Sequence, residues 1–174
     1  MRASRVLGAI AMAGSVSGAA LNKRLCLFPE PERRICYSEP GATPQDLDVR
    51  EINFVAEYLR AYQEEILSQG GSPFWKMPLP DADNCGEWQV TSKGSTWVMA
   101  KLVGDEPAGV LFADIAATID GLTLEDPTTA LLNCSTAGGQ MGTIVDEANP
   151  YYQTQLFEGF TNKGIIIKLV KSPS

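Results

Sequence analysis

The chain of 174 residues contains no histidine. Histidine is the usual general base near neutral pH and a frequent metal ligand, so its absence excludes Ser-His-Asp and Cys-His catalysis and histidine-ligated metal sites. Cysteine is sparse as well, with four residues and no Cys-x-x-Cys pair, which argues against a zinc site. The sequence therefore predicts no metal and no cofactor, and it favours a protein that is not an enzyme.

Basic side chains are outnumbered, with 14 Lys and Arg against 21 Asp and Glu. Residues 1–24 carry four basic side chains and no acidic one, so the net charge of −7 becomes −11 for the remainder. A surface this negative opposes binding to phosphate backbones and anionic lipids, and we expect no nucleic-acid partner. After residue 24 no apolar run approaches the length of a membrane span.

The first 24 residues indicate secretion. A basic start precedes a short apolar run at residues 6–16 and then small residues, which is the pattern of a cleavable signal peptide. Lys23 and Arg24 form a dibasic pair of the kind that kexin-type proteases cleave in the fungal secretory pathway. We expect a signal peptide over 1–19, a propeptide over 20–24 and one mature domain over 25–174.

Four cysteines in a predicted secreted domain indicate two disulfides. Three pairings are possible. Cys26–Cys85 with Cys36–Cys134 would tie the N-terminal arm to the body of the domain, and Cys26–Cys36 with Cys85–Cys134 is the rival. A second dibasic pair, Arg33-Arg34, is expected to survive in the mature protein, because cleavage there would discard Cys26 and leave an odd cysteine.

Apolar periodicity predicts two helices. The first covers residues 43–69 with Thr43 as its cap, and Gly70-Gly71 ends it. Its predicted core stripe consists of Ile52, Val55, Leu59, Tyr62 and Ile66. The second helix covers residues 108–120, with Asp114 on its solvated side.

Alternating and β-branched segments predict the strands. They are expected near Ile35 and at residues 87–91, 95–103, 129–135, 140–146 and 165–170. This order of elements predicts an α+β fold. Its architecture is a two-layer sandwich in which an antiparallel sheet of about four to six strands carries two helices on one face.

Residues 72–86, rich in proline and aspartate, are predicted to form a loop. Within it, Phe74, Trp75 and Lys76 are the predicted partner-binding residues, because functional contacts often lie on loops and binding hot spots favour tryptophan. The competing interpretation is that the loop folds onto the core and buries its aromatic side chains.

Carboxylates offer the remaining catalytic chemistry. Asp81, Asp83, Glu87, Asp105 and Glu106 flank the predicted hairpin at residues 87–103. Two carboxylates on opposite sides of a sugar can hydrolyse a glycosidic bond when one of them has a raised pKa. The spacing selects no pair, so no catalytic residue is assigned. A small cell-wall carbohydrate-binding protein or carboxylate-dependent glycosidase is the alternative function.

The order of elements over residues 43–170 resembles the necrosis-inducing effector and killer-toxin-like α/β families. The resemblance lies in the strand segment at 94–98, the helix around 112–115 and the glycine-rich turn beside Cys134. It carries over no functional residue. Together with the processing signal and the four cysteines, it implies a secreted fungal effector-type protein that binds a host or competitor protein or a cell-wall glycan.

Overall fold

The computed structural model describes residues 29–82 and 86–173. Its strands are β1 Ile35–Cys36, β2 Phe74–Met77, β3 Glu87–Lys93, β4 Thr96–Leu102, β5 Ala108–Leu111, β6 Gly139–Gly142 and β7 Ile165–Lys171. Its α-helices are α1 Val49–Ser68 and α2 Phe112–Asp120, with 3-10 helices at Pro127–Thr129, Leu131–Ala137, Pro150–Gln153 and Gln155–Phe157. The predicted signal peptide and propeptide lie outside the described residues, as do Lys23, Arg24, Cys26, Asp83 and Cys85.

The main sheet has five antiparallel strands in the order β1-β6-β7-β4-β3. Strand β7 is its middle strand and pairs with β4 on one side and β6 on the other. The predicted α+β class and antiparallel sheet are therefore confirmed. Strands β2 and β5 form a second, two-stranded antiparallel sheet, which the sequence did not predict.

One face of the main sheet and both α-helices enclose the hydrophobic core. Every second residue of β4 is buried, and β7 contributes the residues that pair with them. The core is built from Val98, Ala100 and Leu102 of β4, Ile165, Ile167 and Leu169 of β7, Ile52, Val55 and Leu59 of α1, and Ile115 and Ile119 of α2. The predicted stripe on α1 thus faces the core, with Tyr62 and Ile66 packed at its margin.

Helix α1 begins at Val49 and not at Thr43. Its N-cap is Asp48, whose carboxylate accepts a hydrogen bond from the Arg50 backbone N–H at 2.8 Å. The residues before Asp48 are bonded to another part of the chain. The N–H groups of Gln45 and Leu47 donate to carbonyls of the Leu131–Ala137 helix. The prediction of Thr43 as the cap was wrong, since these long-range bonds keep residues 43–47 out of the helix.

The predicted loop at 72–86 and helix at 108–120 are both corrected by one strand pair. Phe74–Met77 pairs antiparallel with Ala108–Leu111, with Phe74 opposite Leu111 and Met77 opposite Ala108. The backbone N–H and C=O groups of the two segments are hydrogen-bonded to each other. Helix α2 therefore starts only at Phe112. Gly121, in the left-handed conformation, ends α2 as predicted.

The segment predicted as two strands at 129–135 and 140–146 contains only one. Residues up to Ala137 form 3-10 helices, the first of which is capped by Asp126 through the Thr128 N–H. Strand β6 ends at Gly142, after which Ile144 N–H donates to the Thr118 hydroxyl on α2. Between them, the Thr143 N–H still donates to the Ile165 carbonyl of β7 at 2.9 Å, so the chain leaves the sheet after Thr143, where α2 replaces the strand as the backbone partner.

A disulfide joins Cys36 on β1 to Cys134 in the Leu131–Ala137 helix. This pairing contradicts the rival with Cys26–Cys36 and Cys85–Cys134. Gly139 is required beside the bridge, since a Cβ at that position would lie 2.8 Å from the Cys134 Sγ. One of the two predicted disulfides is present, and the other predicted partners, Cys26 and Cys85, belong to the segments outside the described residues.

Candidate functional site

The three predicted partner-binding residues lie on strand β2 and therefore do not share one face. Side chains alternate along a strand, which places Phe74 and Lys76 on one side and Trp75 on the other. Phe74 is 6% exposed and its ring lies 5.4 Å from Tyr152 and 5.1 Å from Phe157. The partner-binding role of this trio stays a prediction.

Lys76 and Trp75 have different surroundings. The Lys76 ammonium donates to the Leu156 carbonyl and lies 4.5 Å from the centre of the Phe160 ring. Trp75 packs edge-on against Trp88 and Phe112, at centroid distances of 6.5 and 6.4 Å. Its indole is half-buried, so most of its contact area is already used inside the molecule.

A row of aromatic side chains runs along α1 towards Trp75. Phe54, Tyr58 and Tyr62 follow one another at four-residue spacing, with ring centroids 6.4 and 5.8 Å apart and nearly parallel planes. Tyr62 then meets Phe112 edge-on at 5.0 Å. Phe54 and Tyr58 are each 43% exposed, so the outer end of this aromatic row faces solvent. Sequence reasoning missed it, although the spacing of the three rings was visible.

The surface around Phe54 and Tyr58 is acidic. Glu57, Glu64 and Glu65 are exposed on the same helix. The two arginines of α1 are engaged: Arg50 with Asp48, and Arg60 with Asp120 through two 2.6 Å hydrogen bonds.

One cation is already placed on the aromatic row. The Lys93 ammonium lies 4.3 Å from the centre of the Phe54 ring, which is a cation–π geometry. The face of an exposed ring in this row therefore accepts a positive charge.

The acidic residues that flank the predicted hairpin do not come together in a single site within the described part of the chain. Glu87 is occupied by ion pairs with Lys168 at 2.5 Å and Lys101 at 3.9 Å. Asp105 and Glu106 line a cavity of about 170 Å³ together with Lys163.

Asp114, predicted to be solvated, is in fact buried, with 5% exposure. Its Oδ2 accepts a 2.5 Å hydrogen bond from the Tyr152 hydroxyl, which in turn accepts one from the Leu111 N–H at 3.1 Å. Burial raises the pKa of Asp114 to about 6, against the lowering effect of the Tyr152 bond. The sequence carries a signal for this, because Thr118 follows Ile115 at helical spacing on the apolar side of α2 and Asp114 lies one turn before Thr118.

Two further open cavities also carry carboxylates. One of about 370 Å³ is lined by Glu30, Glu32, Thr143 and Lys163, among others. Glu30 accepts a 2.7 Å hydrogen bond from the Gly164 N–H, and burial raises its pKa nonetheless. The other, of about 440 Å³, is lined by Tyr152, Glu147, Phe157, Phe160 and Asn162, among others.

No protein family, curated protein or solved structure matches the chain. Within the described residues, no set of three or more cysteine, aspartate or glutamate side chains is arranged to hold a metal ion. In the same part of the chain no helix has the length and apolar character needed to cross a membrane.

Proposed function

We propose that this protein is a secreted, disulfide-stabilised protein of the fungal effector type that acts by binding a host or competitor target. Disulfides persist in oxidising compartments, so the Cys36–Cys134 bridge supports secretion. The exposed pair Phe54 and Tyr58 carries the binding part of the proposal. Large rings presented by a rigid helix are typical anchors of protein interfaces.

The charge around the pair favours a basic partner surface. Glu57 and Glu64 are exposed on the helix that carries the rings, and Lys93 shows that a cation can lie against Phe54. A partner that presents lysine or arginine would combine ion pairing with cation–π contacts on the aromatic row.

The test compares variants of the purified secreted protein on host tissue and on competitor cells. We expect Phe54→Ala with Tyr58→Ala to lower the response at least tenfold while the melting temperature falls by less than about 5 °C, since each ring is 43% exposed and lies outside the buried core. Leu122→Ala is the matched control, because Leu122 is an apolar residue with 72% exposure outside the row. A full response from the double variant would refute the proposed surface.

The 370 Å³ cavity supports the alternative of a cell-wall carbohydrate-binding protein or carboxylate-dependent glycosidase. It combines Glu30, whose pKa is raised by burial, with a second carboxylate, Glu32. Incubation with wall polysaccharides distinguishes the functions. Turnover that Glu30→Gln abolishes would favour the glycosidase. Binding without turnover would favour a carbohydrate-binding protein.

A further inference from the structure

The second dibasic pair, Arg33-Arg34, makes contacts within the folded domain. The Arg34 guanidinium donates through Nη1 to the backbone carbonyls of Thr128 and Ala130, the latter at 2.9 Å. Thr128 lies in the 3-10 helix Pro127–Thr129, and Ala130 directly precedes the 3-10 helix Leu131–Ala137 that carries Cys134. Arg34 is half-buried in this position.

Residues on both sides of the Arg34–Ile35 bond are held as well, Arg33 through its side chain and Ile35 through its backbone. Arg33 contacts the Glu39 carboxylate at 3.5 Å. Ile35 opens strand β1, where it pairs with Gln140, and the next residue, Cys36, is bonded to Cys134. The Arg34–Ile35 bond is thus held on both sides, since Arg34 is bonded to the segment at 128–130 and Ile35 is paired with β6.

A dibasic-specific serine endoprotease must take its substrate as an extended chain, with the arginine before the cut inserted in an acidic pocket. Here that insertion requires the Arg34 side chain to leave two carbonyls and β1 to leave β6. Cleavage of a folded protein depends on such local opening.

We propose that Arg33-Arg34 is a second cleavage site for dibasic-specific serine endoproteases, closed by the fold and opened by reduction of Cys36–Cys134. A dithiol reductant supplies two electrons and two protons and leaves two thiols. Hydrolysis then adds one water across the Arg34–Ile35 bond, which creates a carboxyl terminus at Arg34 and an amino terminus at Ile35. The cut also separates Glu30, whose carboxylate accepts the hydrogen bond from Gly164, from the main chain of the domain.

The test uses the unprocessed chain over residues 20–174, which still carries Lys23-Arg24, and a purified kexin-type endoprotease, with the products identified by mass. In the native protein we expect cleavage after Arg24 and no product that begins at Ile35. After treatment with dithiothreitol, or in the Cys36→Ser/Cys134→Ser variant, the Ile35 product should form at least 20-fold faster. Arg34→Gln is the matched control, because it removes this product and leaves the cut after Arg24 intact.

A second variant keeps the bridge. Asp126→Ala removes the cap that orders Thr128, whose N–H donates to Asp126 at 2.9 Å, and it should raise cleavage after Arg34 several-fold. The proposal is overturned if the native protein is cut after Arg34 as fast as the reduced one. It is equally overturned if the reduced, alkylated and unfolded chain resists cleavage there, because the local sequence and not the fold would then protect the bond.

Discussion

At the scale of single residues, the buried carboxyl of Asp114 departs from the behaviour of an ordinary aspartate. The pKa of its buried carboxyl is about 6, against 3.8 for an ordinary aspartate. The folded state therefore binds the proton more tightly than the unfolded chain does. The contribution of this group to the free energy of unfolding is complete below about pH 4 and is lost as the pH rises through about 6.

Asp114→Asn should remove this dependence, since asparagine still accepts the Tyr152 hydrogen bond but does not titrate. Between pH 4 and pH 7 we expect the free energy of unfolding of the wild type to fall relative to the variant by up to about 3 kcal/mol. Urea denaturation at the two pH values measures it. Glu147→Gln is a control of opposite sign, because its ion pair with Lys163 lowers the pKa of Glu147. Identical pH profiles for wild type and Asp114→Asn would contradict the prediction.

Trp75→Ala separates the two interpretations of the predicted partner-binding trio. Because the indole packs against Trp88 and Phe112, we expect the free energy of unfolding to fall by about 3 kcal/mol. Chemical denaturation gives the value, and Phe54→Ala, at a far more exposed ring, should cost less than about 1 kcal/mol. A Trp75→Ala protein of unchanged stability that fails to bind its partner would instead support the interface.

At the scale of elements, one carboxylate joins α1 to the hairpin β3–β4. The Glu51 Oε2 accepts hydrogen bonds from the Ser95 N–H at 3.1 Å and from the Thr96 hydroxyl at 3.0 Å. Gly94 in the same turn has a φ of +52°, and any Cβ there would overlap the Glu51 carboxylate. Helix and hairpin are therefore matched to each other at a position where only glycine fits.

Glu51→Ala should uncouple the two elements. Hydrogen bonds to a charged group typically contribute about 1.5–3 kcal/mol, so we expect the free energy of unfolding to fall by about 2 kcal/mol. Glu57→Ala, an exposed glutamate on the same helix, is the matched control and should change it by less than about 0.5 kcal/mol. Equal effects of the two substitutions in urea denaturation would show that the contact to the hairpin is not stabilising.

Elements that depend on local pattern were predictable, and elements made by distant pairing were not. The body of α1, the β3–β4 hairpin and β7 follow from periodicity and β-branched residues. Strands β2 and β5 have four residues each, too few for periodicity to distinguish them from a loop and the start of a helix. Their structure comes from pairing with each other across an intervening hairpin.

In the candidate site, too, features that depend on local spacing could be predicted from the sequence, and features that depend on distant residues could not. The four-residue spacing of Phe54, Tyr58 and Tyr62 is legible in the sequence, whereas their exposure depends on how α1 packs. The burial of Asp114 depends on Tyr152, which is 38 residues away. Helical spacing placed Thr118 on the apolar side, but nothing local showed that a tyrosine would cover the aspartate one turn earlier.

At the scale of the whole molecule, Cys36–Cys134 closes a loop of 98 residues in sequence. A cross-link of this span lowers the entropy of the unfolded chain, so Cys36→Ser with Cys134→Ser should lower the free energy of unfolding by roughly 4 kcal/mol. Guanidinium denaturation of both proteins measures the difference. Unchanged stability would mean that the bridge strains the folded state as much as it restrains the unfolded one.

The position of β7 sets the order in which the molecule can be assembled. This strand, the last among the described residues, lies between β4 and β6, and the sheet is divided until it arrives. Strands β4 and β6 therefore cannot be joined through β7 until the ribosome has synthesised the chain as far as Lys171. Until then the emerging chain cannot complete its sheet, and a chain in that state is still able to thread through a narrow translocation channel.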